Sequence, residues 1–161
     1  MAKEKFPVTP AIRLLRSEGV AFGSHLYSYE AKGGTSVSAR ELGVDEHCVI
    51  KTLVFETEET KPLIVLMHGD RQVSTKALAR LIGAKEITPC TAAIAERHTS
   101  YQVGGTSPFG IRNPMPIYAE ATLFDLPRIY INGGKRGYLV SLAPTELMRL
   151  LKPQLVEVAI D

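Results

Sequence analysis

Lys51 is the residue least at home in its surroundings. It stands in CVIKTLVFE, Cys48 to Glu56. β-Branched and aromatic side chains dominate that run, which predicts a strand. Side chains alternate along a strand, so Val49, Lys51, Leu53 and Phe55 share one face and Ile50, Thr52 and Val54 the other. Neither face is polar enough to meet solvent. A lysine there must snorkel out, pair with an acid or point into a cleft. An ordinary strand-end lysine in water is the common alternative, but two apolar faces favour the cleft. An ammonium in a cleft can hold a phosphate or polarise a carbonyl.

Two glycine-rich stretches offer a second kind of chemistry. VGGTSPFG, Val103 to Gly110, holds Gly104, Gly105, Thr106 and Ser107. Its glycines let other groups approach the backbone closely, and Pro108 keeps Ser107 out of helical geometry. Successive N–H groups in such a turn can cradle an anion or an oxyanion. The stretch is neither a phosphate-binding GxxxxGK[ST] loop nor a GxSxG nucleophile elbow. NGGKRG, Asn132 to Gly137, carries Lys135 and Arg136 at the tip of an expected hairpin, where they suit phosphate contacts. Taken singly, each stretch reads as a surface turn.

The other reactive types are scattered. His25, His47, His68 and His98 show no HxH or HExxH spacing, so no metal site is expected, and no cofactor is called for. Cys48 and Cys90 lie far apart without a CxxC partner; they read as small, half-buried side chains suited to a reducing cytosol. No pair of carboxylates stands out. The chain therefore offers anion-cradling turns and one odd lysine, but no nucleophile with its base.

The elements that would position these groups follow from caps and periodicity. Thr9 with Pro10 should open a helix that Gly19 stops, and Ser74 and Thr91 should cap two more. A short helix is expected over Ser36 to Gly43, and Pro144 should open the last one. SHLYSYE, CVIKTLVFE, PLIVLMHG, KEIT, MPIYAEATLF, PRIYINGG and GYLVSLA read as strands, with LVEVAI at an edge. Gly133 and Gly134 are expected to form the tight turn of the hairpin. Residues 1–8 read as a loose arm. Strands and helices mix without strict βαβ alternation. The fold class is therefore α+β, a mixed sheet or partial barrel surrounded by helices.

Of the 161 residues, 45% are hydrophobic and the net charge is +2. That composition predicts a packed core in a single domain over residues 1–161. It announces neither DNA nor a membrane as partner, and the N-terminal MAKEKFPVTP has no apolar run of a signal peptide. A cytoplasmic protein is expected.

The combination resembles the YbaK/EbsC group of free-standing aminoacyl-tRNA deacylases, related to the editing domain inserted in bacterial prolyl-tRNA synthetases. The resemblance runs from TPAIRLL at Thr9 through HLYSY, LGVDEHCVIKTLV, RHTSYQVGGTSPFG and IYINGGKRG. It implies the editing-domain fold and activity on Cys-tRNA(Pro), with Cys-tRNA(Cys) as a further substrate. It also implies tRNA as the partner and prolyl-tRNA synthetase as an associate that supplies tRNA identity. By the same resemblance Lys51 is the functional lysine of the KTL motif and Tyr27 lines the pocket. Gly104, Gly105, Thr106 and Ser107 belong to the loop that binds substrate, and Asn132, Gly133, Lys135 and Arg136 to the GGKRG turn. Three positions depart from the family pattern. Gly34 falls about where better-known members carry a pocket phenylalanine, Asn132 where several have serine, and Ser100 where glycine is usual. These departures bear on amino-acid specificity more than on reaction type.

The resemblance further implies substrate-assisted chemistry, in which the cysteine thiol of the mischarged tRNA attacks its own ester. Ser107 is then a positioning residue rather than a nucleophile. Two rival readings stand beside this one. A deacylase for Ala-tRNA(Pro) would need water to attack, and a non-catalytic tRNA- or nucleotide-binding module would turn nothing over.

Overall fold

The computed structural model describes residues 5–161. Residues 1–4 of the expected arm lie outside the described residues. From Lys5 to Thr9 the chain is irregular, and Phe6 stacks on Tyr138 with ring centroids 6.1 Å apart.

Five α-helices are found among the described residues: α1 Pro10–Ser17, α2 Gly34–Leu42, α3 Thr75–Ile82, α4 Ala92–Thr99 and α5 Thr145–Leu151. Their starts follow local chemistry. The hydroxyls of Thr9, Ser74 and Thr91 accept from the N–H of Ile12, Ala77 and Ile94, as N-caps do. Gly43 and Gly83 end α2 and α3 in the left-handed conformation, where a side chain would be strained. No helix of the described residues is long and apolar enough to cross a membrane.

The strands are β1 Gly23–Leu26, β2 Val49–Thr57, β3 Pro62–His68, β4 Gln72–Val73, β5 Ile87–Pro89, β6 Ile117–Glu120, β7 Ile129–Lys135, β8 Tyr138–Leu142, β9 Gln154–Val156 and β10 Ala159–Ile160. Eight of them form one mixed sheet in the order β1-β8-β7-β2-β3-β6-β9, with β5 attached to β2; β10 pairs with β4 apart from it. The fold class is the α+β mixed sheet that the sequence predicts.

Strand β2 organises the molecule. One edge pairs with β3 without a break from Ile50–His68 to Glu56–Pro62. The other edge is shared. It runs parallel to β7 at Val49 and Ile50, and antiparallel to β5 from Phe55 to Thr57. Between those partners the strand forks. The β2 residues also divide between cores as the alternation requires. Ile50 and Val54 pack with Ile64, Leu66, Ile131 and Val140, while Leu53 and Phe55 pack with Val65, Met67 and Leu78 under α3. Burying one such aliphatic side chain stabilises the fold by roughly 1.5–3 kcal/mol.

Some boundaries differ from the sequence reading. SHLYSYE is a strand only as far as Leu26, so Tyr27 lies just beyond it. The MPIYAEATLF segment gives only four residues of strand before a 3-10 turn over Ala121–Asp125. Gly133 and Gly134 do not make the hairpin turn. They sit within β7 at a shift of register between Asn132 and Lys135, and the turn itself is Arg136–Gly137. A Cβ at Gly133 would come within 2.8 Å of the Tyr138 ring, so the bulge needs glycine for close approach rather than for a turn.

Candidate active site

The fork in β2 opens into a cleft of about 700 Å³. Its walls come from β2, the start of α2, the Tyr27–Lys32 segment, the glycine loop after α4 and the bulge of β7. The structure brings Lys51, Tyr27, Gly104, Thr106, Asn132 and Arg136 together around this one cavity. It sets the remaining sequence-derived candidates behind that wall. Gly105 packs on the next strand turn, where a Cβ would meet the Arg136 nitrogen at 2.8 Å. Ser107 is fully buried, and its Oγ accepts from the Phe109 N–H at 3.2 Å. Gly133 gives its carbonyl to the Thr9 hydroxyl. Lys135 is exposed and lines a neighbouring cavity instead.

Lys51 is half-buried, and its ammonium donates to the backbone carbonyl of Arg71. Burial pushes its pKa below that of an ordinary lysine, opposed by the nearby carboxylates of Glu46 and Asp70. Both carboxylates have other partners. Glu46 Oε2 accepts from the Thr35 hydroxyl at 2.7 Å, and Asp70 meets His47 Nδ1 at 2.8 Å and Arg71 at 3.1 Å. The ammonium is thus anchored at one point, with donors left for a substrate oxygen.

The two glycine-rich stretches hold each other. Asn132 Nδ2 donates to Gly104 O at 3.0 Å, and Asn132 Oδ1 accepts from the N–H of Gly134 and Lys135 at 2.7 and 3.1 Å. Arg136 Nε donates to Val103 O at 2.9 Å, and its guanidinium lies 5.2 Å from the centroid of the Tyr29 ring. Gly104 has φ +90°, and a Cβ there would strike the Tyr29 hydroxyl at 2.6 Å. Tyr101 anchors the loop from below, its hydroxyl donating to Phe109 O. The Gly105 N–H bonds Gln102 O at 2.8 Å. The loop is therefore fixed before any ligand arrives, as an oxyanion-binding backbone must be.

No histidine lines the cleft, so no hydroxyl or thiol there has an imidazole base beside it. Cys90 does line it, but burial pushes its thiol up to about 11, which keeps it protonated near neutral pH. His47, His68 and Asp70 cluster outside the cleft lining, with the two rings stacked at 3.7 Å. His68 already meets the His47 carbonyl through Nδ1 and Thr122 Oγ1 through Nε2, both at hydrogen-bond distance. A metal would have to displace one of these bonds, so the cluster reads as structural.

Sequence reasoning missed Tyr29, Thr35, Cys90 and Val103 as walls of the cleft. Tyr29 alone carried a signal, since it repeats the aromatic type of Tyr27 two residues on. Gly34, noted for lacking the expected phenylalanine, does lie in the wall, and a Cβ on it would meet nothing within 4 Å.

The family model described as the aminoacyl-tRNA editing domain matches residues 31–150. The chain belongs to this family. It is accordingly an aminoacyl-tRNA deacylase of the editing type, acting on tRNA. A relative from Enterococcus faecalis, EbsC, named as a candidate Cys-tRNA(Pro)/Cys-tRNA(Cys) deacylase, is 28% identical over 160 residues, 98% of both chains. A proline–tRNA ligase of Limosilactobacillus fermentum is 27% identical over 105 residues, 63% of this chain and 18% of the ligase. A solved structure described as a candidate trans-editing enzyme for prolyl-tRNA synthetase superposes with a TM-score of 0.82 at 22% identity, covering 96% of this chain and all of that one. At that identity the likeness concerns the fold.

Proposed function

We propose that residues 1–161 act as one deacylase unit that clears Cys-tRNA(Pro), with Cys-tRNA(Cys) as a further substrate. The observation that carries the reading is a cleft with a fixed ammonium and a fixed glycine loop but no nucleophile placed against a base. A substrate that brings its own nucleophile suits such a cleft. The cysteine thiol attacks the ester carbonyl, forming a C–S bond. The C–O bond to the ribose oxygen breaks, and the thiol proton ends on that oxygen. The products are free tRNA and a cyclic cysteine thiolactone. An intramolecular attack needs chiefly orientation, which effective molarities show can lower a barrier by about 7–11 kcal/mol.

The residues then divide the work. Lys51 holds the scissile carbonyl or the terminal phosphate. Gly104 and Thr106 face the developing oxyanion, with Gly105 and Ser107 shaping the loop that aims them. Tyr27 walls the pocket, and Asn132 and Gly133 hold the loop against the β7 bulge. Lys135 and Arg136 meet the RNA. Proline and alanine carry no side-chain nucleophile, so correctly charged Pro-tRNA(Pro) survives. Prolyl-tRNA synthetase would supply tRNA identity, and the reaction belongs in the cytoplasm.

One observation favours a second reading. With Gly34 in the wall, nothing bulky narrows that side of the cleft, which leaves room for water to attack a different aminoacyl ester such as Ala-tRNA(Pro). A deacylation panel over Cys-, Ala- and Pro-tRNA(Pro), with the released product identified, separates the two. Turnover of Cys-tRNA(Pro) with thiolactone released is expected. Turnover of Ala-tRNA(Pro) alone, giving free alanine, would replace the first reading with the second. Binding without turnover of any charged tRNA would leave a passive module.

A further inference from the structure

A second cavity, of about 500 Å³, opens beside the cleft and shares Tyr27 and Arg136 with it. Lys5, Lys135 and Arg136 line it, and no carboxylate stands among its described lining residues. None of the three cations enters an ion pair among the described residues. Arg136 uses Nε on Val103 O, which leaves its terminal nitrogens to point elsewhere. Apolar surface accompanies the charge. Phe6 borders the cavity, and so does Leu26, an exposed leucine just past which the chain turns into the cleft at Tyr27.

Three unpaired cations beside apolar faces match single-stranded nucleic acid, whose phosphates need charge and whose unstacked bases need a flat apolar partner. We propose that this cavity is a separate subsite for the unpaired nucleotides that precede the aminoacylated one. It rests on the deacylase reading for the occupant of the cleft. Arg136 joins the two sites. Its guanidinium lies over Tyr29 and its Nε fixes Val103, so a residue of the cleft wall also lines the basic cavity. A basic shelf of this kind explains how a chain of net charge +2 can hold RNA at all, since the positive charge is local. It reads phosphates and base faces rather than base edges, so it gives affinity without sequence identity.

The test is fluorescence anisotropy with a short, uncharged RNA oligonucleotide ending in CCA, titrated at several salt concentrations. Wild type is compared with Lys5→Glu and Lys135→Glu, and with Arg80→Glu on the outer face of α3 as the control. Each shelf variant should weaken binding about fivefold and flatten the slope of log affinity against log salt by about 0.7, the single-strand value per phosphate contact. The Arg80 variant should do neither. Equal losses in all three variants, or unchanged salt slopes in the shelf pair, would overturn the subsite. Hydrolysis of charged tRNA is measured separately on wild type. Absent turnover with the shelf effects intact removes the deacylase reading and leaves the subsite standing, and the reverse result removes the subsite alone.

Discussion

The two edges of β2 are made of the same residues and do opposite work. Toward β3 every position from Ile50 to Glu56 is paired, and the alternating side chains of the two strands close into cores on the two faces of the sheet. Toward β7 and β5 the pairing stops after Ile50 and resumes at Phe55. The interruption leaves Lys51 and its neighbours lining a cavity instead of a ladder. Thr52 lies in that stretch. Its hydroxyl is buried and is the side-chain atom without a partner among the described residues. A sheet that gives up a stretch of ladder gains a site with rigid walls, because the strand remains held along its other edge.

The comparison can be broken at either edge. Leu66 stands opposite Thr52 on β3 and is fully buried. Leu66→Ala should destabilise the fold by about 2–5 kcal/mol through lost burial and a cavity, read as a fall in denaturant midpoint, with per-molecule deacylation retained under conditions where the variant stays folded. Lys51→Ala, one register pair away, should do the reverse. Deacylation should fall about 10²–10³-fold, the range for losing one preorganised charge-stabilising donor, while the thermal midpoint barely moves. Wild-type turnover in folded Lys51→Ala would end the assignment of Lys51. A large stability loss there would make it a structural residue like Leu66.

A smaller effect sharpens the same division inside the glycine loop. Ser107 is buried behind the wall and supports the Phe109 N–H. Ser107→Ala should cost about 1 kcal/mol of stability, the net worth of an ordinary hydrogen bond, with deacylation reduced in proportion to loop order rather than abolished. Loss of all turnover would promote Ser107 to a catalytic residue.

Much of this arrangement was legible from local signals. Thr9, Ser74 and Thr91 act as caps because a hydroxyl beside free N–H groups needs no tertiary context, and Gly43 and Gly83 stop helices for an equally local reason. The place of Lys51 in a cleft followed from alternation along one strand. The fork did not. It depends on β5 and β7 meeting β2 from distant parts of the chain, and two or three residues of pairing leave no periodic trace. The hairpin turn was misplaced at Gly133 and Gly134 for a related reason. A pair of glycines signals freedom of the backbone, but only the Tyr138 ring packed against Gly133 says that the freedom is used for close approach. Thr35 and Cys90 enter the wall through tertiary packing alone.

The smallest expected effect tests the charge state on the open edge. Burial lowers the Lys51 pKa, with Glu46 and Asp70 holding it back in part. If the ammonium is the working form, activity must fall once that proton leaves. The basic limb of kcat/KM, corrected for spontaneous ester hydrolysis, should then break below the 10.5 of an ordinary lysine. Linkage gives the same group a stability effect of definite sign. The unfolded chain holds the proton more tightly, so the folded state gains stability as pH rises from the depressed folded value toward 10.5. Activity and stability should therefore move in opposite directions across one window. Lys51→Arg keeps a charge that does not titrate there, so both effects should flatten in that variant, whatever turnover it retains. A limb that stays in place in Lys51→Arg would assign the titration to another group and separate Lys51 from the chemistry of the cleft.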